Sequence, residues 1–317
     1  MRRAAAFDRH FIGRDPLFWP LARAARAFVQ LDDFPPIETL GGVFDGDLPV
    51  RFVPAAPRRR RRSPVDVQTL YDARITLERA VPTRARCWHD LMNALVWGTF
   101  PNAKRALHAR QHRAISERVA PGARGLPPRS PELDSLALID EGGLVVLTSD
   151  PDSTEAALRT RRDGVLRSYV ESGAADALVF GHAIYESLAL GVTPAVVAAV
   201  VLRRDGEEPD VVRAADDALA RAIVDGARLR SPRELTRVNV NEAAPPSDRS
   251  PQSEARTEGT HLLRTAGRSG GNSGTCTPDD AFPAPPSFSR LPSAVPRGTK
   301  PARRVAWNED IGSRSDP

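Results

Sequence analysis

The chain has 317 residues, 41% of them hydrophobic, and a formal net charge of +5 at pH 7. That length allows one or two domains and that apolar content allows a buried core, although apolar residues lose all periodicity after Arg237. The positive surplus is only weak support for nucleic-acid binding: Arg58–Arg62 alone supply five charges, so the rest of the body is net acidic, whereas polyanion binding rests on a basic face that neutralises many phosphates.

Taken in chain order, Pro16 to Val29 carries Leu17, Phe18, Leu21, Ala25 and Phe28 at helical spacing, with Asp15 as its cap. Pro49 to Val53 reads as a short strand, and Arg58–Arg62 as a loop closed by prolines. A helix follows over Asp66–Glu78, ended before Pro82, which cannot extend a hydrogen-bond ladder. Cys87–Trp97 and Asn102–Val119 form two more helices, the second opened by Pro101.

Ser135–Ile139 and Leu144–Leu147, joined by Asp140-Glu-Gly-Gly143, read as a β-hairpin. Helices are expected at Asp152–Arg162 and Val165–Glu171, a buried strand at Ala177–Phe180, and helices at His182–Ala189, at Ala195–Arg203 and from Pro209 to Gly226. The sum is an α-rich α+β fold: a single globular domain over residues 1–236 with a short β-hairpin. Residues 237–317 form a Pro/Ser/Gly/Arg-rich tail that buries too little apolar surface to order itself and is expected to be disordered.

Two cysteines cannot build a disulfide framework, and no apolar run approaches the ~20 residues that cross a bilayer. The N-terminal MRRAAAFDRHF also lacks the apolar stretch of a secretory signal. The expected setting is the cytoplasm, away from the membrane.

Three clusters hold most of the reactive polar groups. The first runs from Arg84 through His89, Asp90 and Asn93 to Trp97 and Lys104, with His89, Asn93 and Trp97 on one side of a helix. The second is Asp140-Glu141 at the expected turn. The third is Gly181-His182-Ala-Ile-Tyr-Glu186, which sets His182 and Glu186 one helical turn apart.

The segments WHDLMNALVWGTFPNAK, SLALIDEGG and VFGHAIYE resemble, in order, the bacterial family called domain of unknown function 3025. A looser likeness runs from DPLFWPL to SPRELT. The resemblance implies a bacterial cytosolic domain without an assigned activity, substrate or cofactor. Where that family's pattern continues into a Leu-Pro-Gly-Trp-rich ending, this chain turns to RVNVNEAAPPSD.

His89, Asp90, His182 and Glu186 offer imidazole and carboxylate donors in numbers that suit a divalent metal. As a catalytic pair, His182 would act as base and Glu186 would orient it; Arg84, Asn93, Lys104, Asp140 and Glu141 complete the pocket. Against this stands ordinary structural packing, in which the same groups only satisfy buried hydrogen bonds. His108 and His112 form a weaker metal pair on what reads as a solvated helix face, and Trp88, Trp97 and Phe100 read as core. The functional expectations are therefore a His/carboxylate pocket for metal-assisted or acid/base hydrolytic chemistry on a small molecule, a non-catalytic binding or scaffolding module, and a nucleic-acid accessory protein using Arg58–Arg62. The sequence names no reaction.

Overall fold

A computed structural model describes residues 6–44, 48–56, 64–160, 162–206 and 208–245. Arg58–Arg62 and the tail from residue 246 onward lie outside the described residues. Within them the fold is α+β, as composition and periodicity imply, but three segments take a different form from the expected one.

The N-terminal segment is not one α-helix. Pro16–Leu21 and Arg26–Gln30 are 3-10 turns on either side of a four-residue helix, α1 (Ala22–Ala25). Pro20 inside the segment removes a backbone donor and keeps the winding tight. Its apolar side still faces inward, with Phe11, Leu17, Phe18, Leu21 and Phe28 buried. Phe7, Phe11 and Phe34 pack around Trp88, at ring separations of 5.2–5.7 Å.

β1 (Arg51–Pro54), α2 (Tyr71–Glu78) and β2 (Ala80–Thr83) form a small unit whose two strands pair in parallel. α3 (Trp88–Thr99) and α4 (Pro101–Ser116) follow, separated by the bend at Phe100. α4 is tied at its start to α9 (Val211–Val224): the Ala103 and Asn102 amides donate to the two oxygens of Asp216, at 2.7 and 3.1 Å.

The expected hairpin does not form. Pro131–Gly142 is a helix, α5, capped by Ser130 accepting from the Leu133 amide, and only Gly143–Thr148 is a strand, β3. The signal for the helix was present as Ser130-Pro131-Glu132, a cap, a first-turn proline and an acidic first turn; the apolar run Leu136–Ile139 and the two glycines disguised it. Ala195–Arg203 is likewise not a helix. It holds β5 (Val196–Arg203), flanked by β3 in parallel and β6 (Thr236–Asn239) antiparallel. A central strand covered on both faces is apolar throughout, so it shows no alternation by which to recognise it.

The main sheet has the order β4-β3-β5-β6, with β4 (Ala175–Val179) antiparallel to β3. α6 (Pro151–Arg159), α7 (Val165–Glu171), α8 (His182–Ala189) and α9 complete the helices. β6 and the following turn Val240–Ala243 extend the ordered chain past residue 236, and the Glu242 carboxylate accepts the Leu166 amide at the start of α7.

Candidate metal centre

The site forms where α3, α5 and α8 meet. His89 stands in the first turn of α3, Asp140 and Glu141 in the last turn of α5, and His182 at the first position of α8. Two glycines allow the approach. A Cβ on Gly143 would lie 2.3 Å from the Ile139 carbonyl oxygen, and one on Gly181 would lie 2.5–2.6 Å from the backbone of Glu141, Gly142 and Gly143. The amides of Phe180 and Gly181 both donate to the Gly143 carbonyl at 2.9 Å. The strand-to-helix corner carrying His182 is thereby pressed onto the end of α5.

His182 Nδ1 donates to the main-chain carbonyl of Asp140 at 2.8 Å, and His89 Nδ1 donates to Glu186 Oε2 at 2.9 Å. With both Nδ1 atoms so engaged, each ring turns Nε2 outward, and the two Nε2 atoms meet at 3.0 Å. Glu141 Oε2 lies 3.3 Å from His182 Nε2 and makes no hydrogen bond among the described residues. One donor atom each from His89, Glu141 and His182 falls within 4.8 Å of the other two. His182 is sealed, its side chain 4% exposed, whereas His89 and Glu141 are 27% and 20% exposed. The converging oxygen of Glu141 is itself buried.

Burial and neighbouring charges move the groups of the cluster in different directions. Burial pulls His89 down, but the Glu186 hydrogen bond and the Glu141 charge outweigh it and lift its pKa to about 9. Burial, reinforced by the charge on His89, pushes His182 well below its ordinary value. Burial raises Glu141 to about 7. Asp140 is desolvated too, yet the Lys104 ammonium 2.5 Å away holds it well below the usual carboxylate range. Two carboxylates in the last turn of α5 also oppose the helix dipole, so their placement costs the helix stability.

The other sequence candidates are distributed as follows. Asp90 does not reach the shared point: it accepts from the Arg84 amide and lies bidentate on the Arg84 guanidinium at 2.8 and 3.1 Å. Glu186 pairs across the helix interface with His89 rather than along its own helix with His182. Asn93 donates to the Tyr71 hydroxyl at 3.3 Å. Lys104 is fully buried and pairs with Asp140. His108 is buried as well, because α2 covers that side of α4 and supplies Asp72 at 2.9 Å, and its ring stacks on Trp97; His112 meets Ser116 instead. Sequence reasoning missed the Tyr71 hydroxyl and the Asp140 carbonyl. Only the first left a signal, since a tyrosine on a buried helix face usually seeks a polar partner.

The fold and cluster thus define an α+β domain with a two-histidine, one-carboxylate arrangement at a helix junction. The chain belongs to a family described as "Protein of unknown function (DUF3025)", whose model matches residues 51–242 and so covers every residue of the cluster. Neither the curated proteins nor the solved structures yield a match. No helix among the described residues is long and apolar enough to cross a membrane.

Proposed function

We propose that this protein binds one divalent metal ion through His89 Nε2, His182 Nε2 and the Glu141 carboxylate, and uses it for hydrolytic chemistry on a small molecule. The observation that carries the reading is the 3.0 Å approach of two ring nitrogens whose partner nitrogens are both engaged by acceptors. Two neutral rings so held would point lone pair at lone pair, so a positive species belongs between them. An ion about 2.1 Å from each nitrogen would see them at roughly a right angle, as in two-histidine, one-carboxylate sites with open positions.

Glu186 and the Asp140 carbonyl supply the outer hydrogen bonds that such ligands require. Held by His89, His182 and Glu141, an ion would supply Lewis acidity to a bound water, and the part-exposed edge at His89 and Glu186 is where a small substrate would enter. In this reading the protein works in the bacterial cytoplasm, in keeping with a sequence that has no disulfide framework.

A second reading is favoured by the high pKa of His89: a protonated His89 fills the gap between Glu186 and His182, and the domain is a non-catalytic module whose polar cluster fixes α3 against α8. Calorimetric titration of metal-free protein with Zn(II), Mn(II) and Co(II) separates the two. One ion per chain, with binding lost in His89→Ala and His182→Ala, supports the metal centre; no binding by folded wild type removes it.

A further inference from the structure

Lys104 is one of two lysines in a chain with 43 arginines, and it sits in the interior with its side chain 0% exposed. Its Nζ meets Asp140 Oδ1 at 2.5 Å and lies 5.8 Å from the centre of the Trp97 ring. A buried ion pair is a poor device for stability. Dehydrating each charge costs several kcal/mol, and apolar side chains of similar volume often hold the same contact as well or better. The pair is explained by what Asp140 touches.

Asp140 turns two groups toward one histidine. Its main-chain oxygen accepts from His182 Nδ1 at 2.8 Å, and its Oδ1, the atom bound by Lys104, lies 3.8 Å from the same nitrogen. The next residue is Glu141. Holding the Asp140 carboxylate therefore fixes the final turn of α5, the carbonyl that keeps the proton on His182 Nδ1, and the start of the Glu141 side chain together. A compact ammonium suits this end-on contact, whereas the forked guanidinium that dominates elsewhere in the chain suits side-by-side pairing as at Arg84–Asp90.

We infer that Lys104, through Asp140, is a positioning residue for the metal centre: it holds His182 as the Nδ1–H tautomer with Nε2 free for the ion, and sets Glu141 beside it. The inference rests on the metal reading above. Its test is the double substitution Lys104→Met/Asp140→Leu, which removes both charges, leaves neither ion alone in the interior and keeps the main-chain carbonyl. The expected result is a folded protein with an undiminished melting temperature and a Zn(II) affinity reduced about 10-fold, the lower end of the range for disturbed outer partners, because the carbonyl remains while the turn that carries it is no longer held. Imidazole ¹⁵N shifts should show His182 as a single Nδ1–H tautomer in metal-free wild type and as a mixture in the variant, which a purely structural pair would not produce.

A folded variant that binds Zn(II) within about twofold of wild type overturns the inference while leaving the metal centre standing. A wild-type His182 found as the Nε2–H tautomer also overturns it, with no variant needed. If the leucine change prevents folding, Lys104→Met/Asp140→Asn, uncharged and closer in shape, is read by the same criteria. Wild type that binds no metal overturns the reading of the site, and this inference with it.

Discussion

His89 and His108 are built alike at one end and differ at the other. Each ring presents Nδ1 to a carboxylate at 2.9 Å, Glu186 for His89 and Asp72 for His108. His108 Nε2 then ends in the core beside Trp97, with no partner among the described residues. His89 Nε2 instead meets a second imidazole and lies near a buried carboxylate oxygen that has no hydrogen-bond partner among the described residues, although the His89 side chain as a whole is part-exposed. A histidine–carboxylate pair alone therefore marks no site. What sets the cluster apart is the convergence of three donor atoms from separate helices on one point.

The sharpest way to break this contrast is to remove one ring from each place. His182→Ala should weaken Zn(II) binding by more than about a hundredfold, beyond the effect of losing an outer partner, while His108→Leu should leave it unchanged. Equal losses in calorimetry would mean that the two histidines are not different in kind. Next in size is Gly181→Ala, where the new methyl meets the backbone of Glu141–Gly143. It should cost roughly 3 kcal/mol in urea unfolding, the upper end for overpacking, and should lower metal affinity as His182 is pushed away from α5.

A third carboxylate serves as the control for burial without convergence. Burial raises Asp216 to about 6, against the pull of its two amide donors. An acid with a raised pKa binds more protons folded than unfolded, so its contribution is present below pH ~4 and is lost as pH rises through about 6. Wild type should thus lose roughly 2–3 kcal/mol relative to Asp216→Asn between pH 4 and 7, most of what a shift from 3.8 to about 6 is worth. A difference that does not vary with pH would show that the amides dominate. The smallest effect falls to His108→Leu itself, about 1 kcal/mol for one net hydrogen bond, since Asp72 is part-exposed and can turn to water.

The residues of the cluster were easier to find in the sequence than their partners. His89 and His182 stand out in the sequence, whereas Glu141, which reads as part of a turn, takes the place expected of Asp90 and Glu186. Their pairing is tertiary. The four-residue spacing of His182 and Glu186 suggests a bond along α8, but the packing of α3 on α8 offers Glu186 a nearer imidazole. Asp90 reads as a ligand until Arg84, six residues earlier, is seen to occupy both its oxygens. The fold was legible where one face of an element is wet, as in α6 and α9. It was illegible where both faces are covered, as in β5, or where glycines adjoin an apolar run, as at the end of α5.

The N-terminal segment lies outside the residues that match the family, yet it clasps two of the three helices of the cluster, α3 and α8. The Trp88 indole, adjacent to His89, donates to the Ala6 carbonyl at 3.3 Å, and the Arg14 guanidinium donates to the Ala189 carbonyl at the end of α8. Trimming the gene to begin at Arg51 would keep His89, Glu141 and His182 and strip away the clasp, removing one contact from α3 and one from α8. Anyone isolating the shared portion for biochemistry would be assaying a loosened version of the centre.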